Sequence, residues 1–525
     1  MLLRGCGRRR VGAEANSADC ARDTGNVLRT DRPCVRLDGF FGGCGRRFGY
    51  RLPYRRLPLR GCELQDEEQI RVSEGVRGRA RLGPRSAPVT LDFGVGRPYL
   101  RRYGERGDGE GKEARTKPSE ASVEVITTNK MDSKYYLAWA TDDEIRNRGA
   151  NGGFVTATLV SALETGFIDL AVVVKKKSVY EGIPVLTSDP EVVKDCSGSL
   201  HGVPLNLAKY VLESAPDKRI GLPVKPCDAR GIIELAKRQQ INLDNVYLIG
   251  LNCGGTLHPL QMRAMAAECF GLDPDSVLRE EITGGKLFLV HEAEGTEKEA
   301  GMKIDELERQ GRGRRDACKT CDTKIPVMAD LACGNWGVPQ GEQKTFVEVL
   351  TEKGAAILDN ALSNGAIEIE DASEQGIELR TKIEASMQKL AARWNAELDV
   401  LKDLSPSERF AFYKAELQRC IHCGACKAVC PVCACEADSK CLEQHDETDS
   451  YAISMYNLLR LLHLMDSCIH CGRCEDVCPV DIPLTLIQRR FSERMQRHLD
   501  YEPGMEVTQT PPLNETKLRW RAEVE

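Results

Sequence analysis

Two cysteine runs in the last quarter of this 525-residue chain have the spacing that holds iron–sulfur clusters. Each follows the pattern Cys-x2-Cys-x2-Cys-x3-Cys-Pro, and the runs are close repeats, RCIHCGACKAVCPV and SCIHCGRCEDVCPV. In two-cluster ferredoxins three closely spaced thiolates bind one cubane and the fourth binds the other. The sequence therefore predicts two 4Fe-4S clusters with exchanged fourth ligands. The first would use Cys420, Cys423, Cys426 and Cys478, and the second Cys468, Cys471, Cys474 and Cys430.

Zinc is a weaker interpretation, because structural zinc sites take four ligands each, usually from Cys-x2-Cys pairs. Apolar positions at helical spacing over residues 451–465 lie between the runs, which predicts an α-helical ferredoxin domain. A helix is predicted to begin at Ser405, and a long amphipathic helix is predicted over residues 377–401. We expect His422 and His470, inside the runs, to tune hydrogen bonding or to face solvent.

The elements that precede the runs indicate a different architecture. Residues 131–375 alternate apolar strands, such as 170–174, 219–224 and 246–251, with helical segments. This alternation predicts an α/β domain with a mostly parallel sheet. A helical linker is predicted over residues 376–415, and the ferredoxin domain over residues 416–525.

A second set of cysteines lies in the α/β domain. Cys227 and Cys253 each follow a predicted strand and precede a helix, and the carboxyl ends of parallel strands meet in one crevice. Cys318 and Cys321 form a Cys-x2-Cys pair that could complete a third 4Fe-4S cluster. The alternative for each isolated cysteine is a small buried apolar residue. The roles of Cys433, Cys435 and Cys441 stay open between an additional metal site and buried thiols.

The first 130 residues differ in composition from the rest of the chain. They contain 24 Arg and 3 Lys, whereas residues 131–525 contain 23 of each. One interpretation is a disordered basic tail that binds an anionic partner. We favour the other, in which residues 1–130 come from a mis-assigned start and the protein begins at Met131.

Charge and hydropathy exclude several classes of protein. Residues 131–525 hold 46 basic and 62 acidic side chains, which argues against nucleic acid as a partner. The longest apolar stretch, 167–174, is too short to cross a bilayer, so direct membrane insertion is not expected. Clustered cysteines in a large chain without a secretion signal indicate metal binding in a reducing, cytoplasmic compartment.

Four motifs, in order, resemble the beta subunits of coenzyme F420-reducing hydrogenases and dehydrogenases. They are NGGFVTATLVSALE from Asn151, KPC ending at Cys227, GLNCGG around Cys253 and CKTCDTKIPVMADLACGNWG from Cys318. The likeness covers about residues 133–345. With the double ferredoxin run, the chain is most similar to the formate dehydrogenase members of methanogenic archaea.

The resemblance implies particular roles for residues of the α/β domain. It makes Cys227, Cys253, Cys318 and Cys321 the ligands of a third cluster beside a bound FAD. The flavin-site candidates that it implies are Asn151, Gly152, Gly153, Thr156, Gly334, Asn335 and Trp336. The chain departs from the family at residues 198–201, where Gly-Ser-Leu-His replaces an expected Gly-Ser-Lys-Tyr, so a lysine contact there is in doubt.

The resemblance also implies a function. Electrons would pass from a molybdenum- or tungsten-containing alpha subunit of formate dehydrogenase through the clusters and FAD, and coenzyme F420 would be reduced by hydride transfer. No catalytic acid, base or nucleophile is needed in this chain. A heterodisulfide reductase complex is a further candidate partner. The alternatives are a flavin-free polyferredoxin-like shuttle and the corresponding subunit of a hydrogenase or another dehydrogenase.

Overall fold

The computed structural model describes residues 134–212, 217–433, 435 and 455–513. The predicted extension 1–130 and Cys441 lie outside the described residues. All described residues belong to one compact unit, Thr116–Glu525. Of the helices that the structure describes, none combines the length and the apolar character that a membrane span requires.

The described residues form eleven strands in two sheets. In chain order they are β1 (Lys134–Ala140), β2 (Leu170–Ser178), β3 (Glu181–Thr187), β4 (Ile220–Val224), β5 (Val246–Leu251), β6 (Val277–Thr283), β7 (Lys286–Ala293), β8 (Thr296–Lys303), β9 (Leu331–Gly334), β10 (Thr345–Val349) and β11 (Ile367–Asp371). The main sheet has the order β11-β1-β10-β9-β5-β4-β2-β3, and β6, β7 and β8 form a separate antiparallel sheet. The predicted strands 170–174, 219–224 and 246–251 correspond to β2, β4 and β5.

The prediction of a mostly parallel sheet is wrong, because the main sheet is mixed. Only the central run β2-β4-β5-β9 is parallel, while β3, β10, β1 and β11 pair antiparallel. Two residues join β2 to β3, and a connection that short permits only an antiparallel pair. The parallel part still places the ends of β4, β5 and β9 side by side.

In the part of the chain that the structure describes, fifteen α-helices accompany the sheets. They are α1 (Asp143–Arg148), α2 (Phe154–Glu164), α3 (Pro190–Asp195), α4 (Ala208–Leu212), α5 (Pro226–Lys237), α6 (Pro259–Glu268), α7 (Ile304–Arg309), α8 (Asp316–Lys319), α9 (Glu352–Ser363), α10 (Glu374–Leu398), α11 (Pro406–Leu417), α12 (Ala425–Ala428), α13 (Met455–His463), α14 (Arg473–Asp476) and α15 (Leu484–His498). Neighbouring residues of β5 lie in different cores, since Ile249 packs with α2 and α9, and Leu248 packs with α4 and α5. Successive side chains of a strand point to opposite faces, so helices cover both faces of the sheet.

The residues described after Asp371 contain helices and no strand. The predicted helix start is present: Ser405 Oγ accepts from the Glu408 backbone N–H (3.3 Å), and a Glu408 carboxylate oxygen accepts from the Ser405 N–H (2.8 Å). This reciprocal pair is a capping box. The long helix predicted over 377–401 is α10.

Residues 501–504 of the ferredoxin domain form hydrogen bonds with α5. The fully buried carboxylate of Glu234 accepts hydrogen bonds from the Tyr501 hydroxyl (2.6 Å) and from the Gly504 backbone N–H (2.7 Å). Arg230 Nε donates to the Pro503 carbonyl (2.8 Å). The two domains therefore share a buried polar interface, and α5 carries Cys227 at its other end.

Candidate iron–sulfur site

Four cysteines of the α/β domain, here the third set, line one cavity: Cys227, Cys253, Cys318 and Cys321. Cys227 lies in the first turn of α5 after β4, and Cys253 follows β5. Because β4 and β5 are parallel neighbours, both thiols reach the same edge of the sheet. Cys318 lies on α8, which brings the Cys-x2-Cys pair to the same place.

Charges around this cavity favour an anionic occupant. Among the described residues that line it are five cationic side chains and no aspartate or glutamate; the cations are Lys225, Arg230, Arg315, Lys324 and Arg473. Burial raises the pKa of the Cys253 thiol to about 11. Burial also acts to raise the pKa of Cys318, but the Arg315 guanidinium and a hydrogen bond with Thr256 (3.4 Å) outweigh it and lower that pKa. Iron binding requires the thiolate, which these cations stabilise.

Cysteines of the two ferredoxin runs lie near one another. We call Cys420, Cys423, Cys426 and Cys478 the first set, and Cys468, Cys471, Cys474 and Cys430 the second set. Burial raises the pKa of Cys471 to about 12, and the charges of Cys430 and Cys468 add to this effect. Burial also raises the pKa of Cys420, with a further contribution from Cys478. Each fourth cysteine thus lies beside the other run, and the clusters themselves stay a prediction.

Contacts connect the three sets in a fixed order. Cys474 of the second set packs with Cys478 of the first set against one apolar cluster of the ferredoxin domain. Cys471 of the second set packs with Cys227 of the third set against another. The second set therefore lies between the first and the third.

Buried arginines lie at both junctions. Arg315 donates from Nη2 to the Cys471 carbonyl (2.9 Å) and from Nη1 towards Cys318 Sγ (3.5 Å), so it contacts the second and third sets. Arg460 donates from Nη2 to the Cys426 carbonyl (2.7 Å), and its charge opposes the effect of burial on the pKa of Cys474. Sequence reasoning missed both arginines, because no local motif indicates where a distant cation will fold.

The two histidines of the runs have different surroundings. His470 lines the cavity of the third set, and its buried Nε2 has no hydrogen-bond partner. Burial, and then the charges of Arg489 and Arg230, lower the pKa of His470 to about 3. His422 instead packs edge-on against the ring of Tyr456, with centroids 5.6 Å apart.

The flavin-site candidates form two segments that meet at one end of the main sheet. The turn at Asn151 accepts a hydrogen bond from Thr345 Oγ1 on β10, and β10 pairs with β9, which ends at Gly334. Asn335 is exposed and Trp336 is half-buried. The structure thus brings the two segments together. That they bind FAD stays a prediction.

The glycines of the first segment have a structural explanation. Gly152 and Gly153 have φ values of 73° and 74°, which L residues with side chains rarely adopt. A Cβ on Gly152 would overlap the Gln343 carbonyl oxygen, and one on Gly153 would lie 2.5 Å from the Ile145 carbonyl oxygen. These glycines are needed for the close approach of backbone to backbone.

Asn252 connects the flavin-site candidates to the third set. Its backbone N–H donates to the Cys333 carbonyl (2.7 Å), and a Cβ on Gly334 would lie 2.8 Å from its Nδ2. Both polar atoms of its side chain are buried without a partner. An orphaned amide beside Cys253 fits a bound group at this position, since buried polar atoms are nearly always paired. The sequence placed Asn252 in the motif GLNCGG without giving it a role.

The departure at residues 198–201 places a histidine against a carboxylate. His201 Nδ1 lies 2.8 Å from an oxygen of Glu280, whose side chain is only 1% exposed. Burial acts to lower the pKa of His201, but the hydrogen bond and charge of Glu280 outweigh it, and the pKa is raised. A histidine that pairs with a buried carboxylate therefore lies one position beyond the lysine that the resemblance led us to expect.

Three more cysteines of the described residues differ in their surroundings. Cys433 is buried against the cluster that contains Cys430, whereas Cys435 is exposed. Cys333 is fully buried in the core of the α/β domain, and burial raises its pKa. In the part of the chain that the structure describes, no three histidine, cysteine or carboxylate side chains converge on one metal ion. Whether Cys433 and Cys435 belong to an additional site stays open.

Three family models match this chain. Residues 135–211 match the N-terminal model, and residues 217–375 the C-terminal model, of the coenzyme F420 hydrogenase/dehydrogenase beta subunit. Residues 416–482 match the 4Fe-4S dicluster domain. Both cysteine runs fall within this last match.

Curated relatives from methanogens cover most of the chain. The beta subunit of the F420-dependent formate dehydrogenase of Methanocaldococcus jannaschii is 40% identical over 385 residues, which are 73% of this chain and 99% of that protein. The beta subunit of formate dehydrogenase 1 of Methanococcus maripaludis is 40% identical over 390 residues, which are 73% of this chain and 98% of that protein. The coenzyme F420 hydrogenase beta subunit of Methanococcus voltae is 27% identical over 48% of this chain and 89% of its own.

Among solved structures, a chain of the F420-reducing NiFe hydrogenase complex from Methanosarcina barkeri is 21% identical, with a TM-score of 0.44. The match covers 51% of this chain and 93% of that one. The full-length relatives at 40% identity establish the relationship without it. The chain belongs to the coenzyme F420 hydrogenase/dehydrogenase beta subunit family, with a 4Fe-4S dicluster ferredoxin domain after the mixed α/β domain.

Proposed function

We propose that this chain is the electron-transfer beta subunit of an F420-dependent formate dehydrogenase, an oxidoreductase. It receives electrons from a catalytic alpha subunit and delivers them to coenzyme F420 as hydride. The observation that carries this proposal is the row of three cysteine sets, each of which packs with the next against a shared apolar cluster, within one compact unit. The formate dehydrogenase beta subunits are similar to this chain over nearly their whole length, which supports formate as the electron source.

The bound groups supply the electron-carrying chemistry: 4Fe-4S clusters exchange single electrons, whereas a flavin exchanges single electrons and hydride. The protein holds these groups and keeps water from them. Residues of α5, of α8 and of the loop of the second run together line the cavity of the third set. Burial of this kind and nearby cations set the reduction potential of a cluster.

The first set lies where a protein partner can reach it. Cys423 is exposed, Ile421 beside it is 62% exposed, and Leu462 on α13 is 46% exposed. Exposed apolar side chains that lie close together are typical of protein interaction sites. We place the contact with the alpha subunit at this end of the row.

The opposite end of the row lies beside the flavin-site candidates. Asn252 follows β5, its neighbour Cys253 belongs to the third set, and its side chain lies against Gly334. A carboxamide offers two N–H donors and one acceptor, which matches the edge of a flavin ring. We place FAD and the docking surface for the deazaflavin here.

The proposal is tested on the full-length chain, purified anaerobically and analysed for iron and FAD. We expect about twelve iron atoms per chain, four for each of three clusters, together with FAD. An artificial one-electron donor should then reduce the deazaflavin. About eight iron atoms without flavin would instead identify a polyferredoxin-like shuttle.

The choice between formate and hydrogen as the source of electrons rests on the share of this chain that each kind of relative matches. The formate dehydrogenase relatives match 73% of this chain, whereas the Methanococcus voltae hydrogenase relative matches 48%. The complex isolated from the native cell should therefore reduce the deazaflavin with formate and not with hydrogen. Association with a heterodisulfide reductase complex and cytoplasmic localisation stay predictions.

A further inference from the structure

His470 belongs to the ferredoxin domain but lines a cavity of the α/β domain. It lies between Cys468 and Cys471 in the second run, and it is one of the residues that line the cavity with the third set. Its Nε2 atom is buried and has no hydrogen-bond partner. An unpaired buried polar atom destabilises a protein, so the position calls for an explanation.

A group bound in the cavity would explain the unpaired Nε2 of His470. The described residues that line it carry five cationic side chains and no carboxylate, so an anionic group with acceptor atoms suits the cavity. A 4Fe-4S cluster bound by four thiolates is such a group, and hydrogen bonds to its sulfur atoms change its potential.

We propose that Nε2 of His470 donates a hydrogen bond to a sulfur atom of the cluster held by Cys227, Cys253, Cys318 and Cys321. This inference rests on the proposed function, because it requires that third cluster. The ferredoxin domain then completes the third site. A donor to a cluster sulfur stabilises the more negative, reduced state, so His470 makes the third cluster easier to reduce. It is a positioning and tuning residue at the junction between the second and third sets.

The chain contains a matched control for His470. His422 lies in the same tetrapeptide, Ile-His-Cys-Gly, of the first run. The two histidines share an unusual backbone conformation, with φ of 54° at His422 and 55° at His470. A substitution therefore has the same conformational cost at both positions. Only His470 lines the cavity of the third set.

The experiment is pulsed EPR of the anaerobically reduced full-length protein labelled with ¹⁵N-histidine. The signal of the third cluster is assigned by its change in the Cys321→Ser variant. We expect a ¹⁵N coupling on this signal that persists in His422→Gln and disappears in His470→Gln. His470→Leu, which removes the donor, should also lower the midpoint potential of the third cluster, while His422→Leu leaves it unchanged.

The outcomes separate the inference from the proposed function. A third signal without ¹⁵N coupling, or with a coupling that His422→Gln removes, overturns the role of His470 and leaves the third cluster intact. About eight iron atoms per chain and no third signal would refute the third cluster itself. If the His470 variants fail to fold, the labelled wild-type and His422→Gln proteins still decide the matter, because the coupling must be present in both.

Discussion

The two ferredoxin runs have nearly the same sequence and opposite surroundings. In the first run Cys423 is exposed and Ile421 is 62% exposed, whereas Ile469 in the second run is 4% exposed. The backbone is the same at corresponding positions, because Gly424 and Gly472 both have φ of 73°. The repeated residues thus set the shape of each loop, and other residues set its environment.

The positions at which the runs differ explain the contrast. The second run has Arg473 and Asp476 where the first has Ala425 and Ala428. Asp476 pairs with the buried guanidinium of Arg315 in the α/β domain, at 2.5 Å. Asp476 therefore attaches the second run to the α/β domain, and Ala428 leaves the first run without this attachment.

Substitution of the fourth cysteine of each set tests whether each cluster depends on a ligand from the other run. Cys430→Ser should disturb the cluster of the second set, and Cys478→Ser that of the first set, because each fourth cysteine lies beside the other run. We expect each variant to lose at least one iron atom per chain. EPR of the reduced proteins, with the two signals resolved by potential, identifies the affected cluster. Damage confined to the run that carries the substitution would disprove the exchange.

Arg315→Met should separate the second run from the α/β domain. It leaves the carboxylate of Asp476 buried, and breaking a buried ion pair costs about 3–5 kcal/mol. The matched control is Arg473→Met, which removes the other partner of Asp476 (2.9 Å) and keeps Arg315. Urea unfolding of the anaerobic proteins should show the larger loss of stability for Arg315→Met. Equal losses of stability would mean that the protein needs a paired Asp476 and gains nothing further from the contact between the domains.

Gly472→Ala should destabilise the protein more than Gly424→Ala. Both glycines have φ of 73°, and the left-handed conformation costs a residue with a side chain about 1–2 kcal/mol. A Cβ at Gly472 would also overlap the Cβ of Ala317 on α8, and overpacking adds about 1–3 kcal/mol. Thermal unfolding followed by circular dichroism measures the difference. If the two variants melt at the same temperature, the second run is not packed against α8 as described.

Local patterns predicted local structure well. The capping box at Ser405 and the strands β2, β4 and β5 follow from side-chain types within a few residues. The hairpin between β6 and β7 was missed, although Gly284-Gly285 at its turn is a signal that could have indicated it. The direction of β1, β10 and β11 was also missed, because it depends on partners up to about 230 residues away.

In the candidate site, too, the residues with a local sequence pattern were predicted and those with only distant contacts were not. The cysteines could be recognised from their spacing, since a cluster imposes a short and repeated pattern on its ligands. Arg315, Arg460 and Asn252 could not, because their contacts join residues distant in sequence. Arg315 and Cys471 are 156 positions apart in sequence, yet Nη2 of Arg315 lies 2.9 Å from the carbonyl oxygen of Cys471.

His201 extends the comparison of histidines to a residue outside both runs. Glu280 and Glu281 face it, and Glu280 raises its pKa above the ordinary value despite the opposing effect of burial. A raised pKa in the folded state means that the stabilisation is complete below the unfolded-state pKa, about 6.5, and disappears as the pH rises through the folded-state pKa. His201→Gln should therefore cost most stability at acidic pH and little at alkaline pH. Urea midpoints measured across that range for wild type and variant test this, and a difference independent of pH would show that His201 is held as a neutral ring.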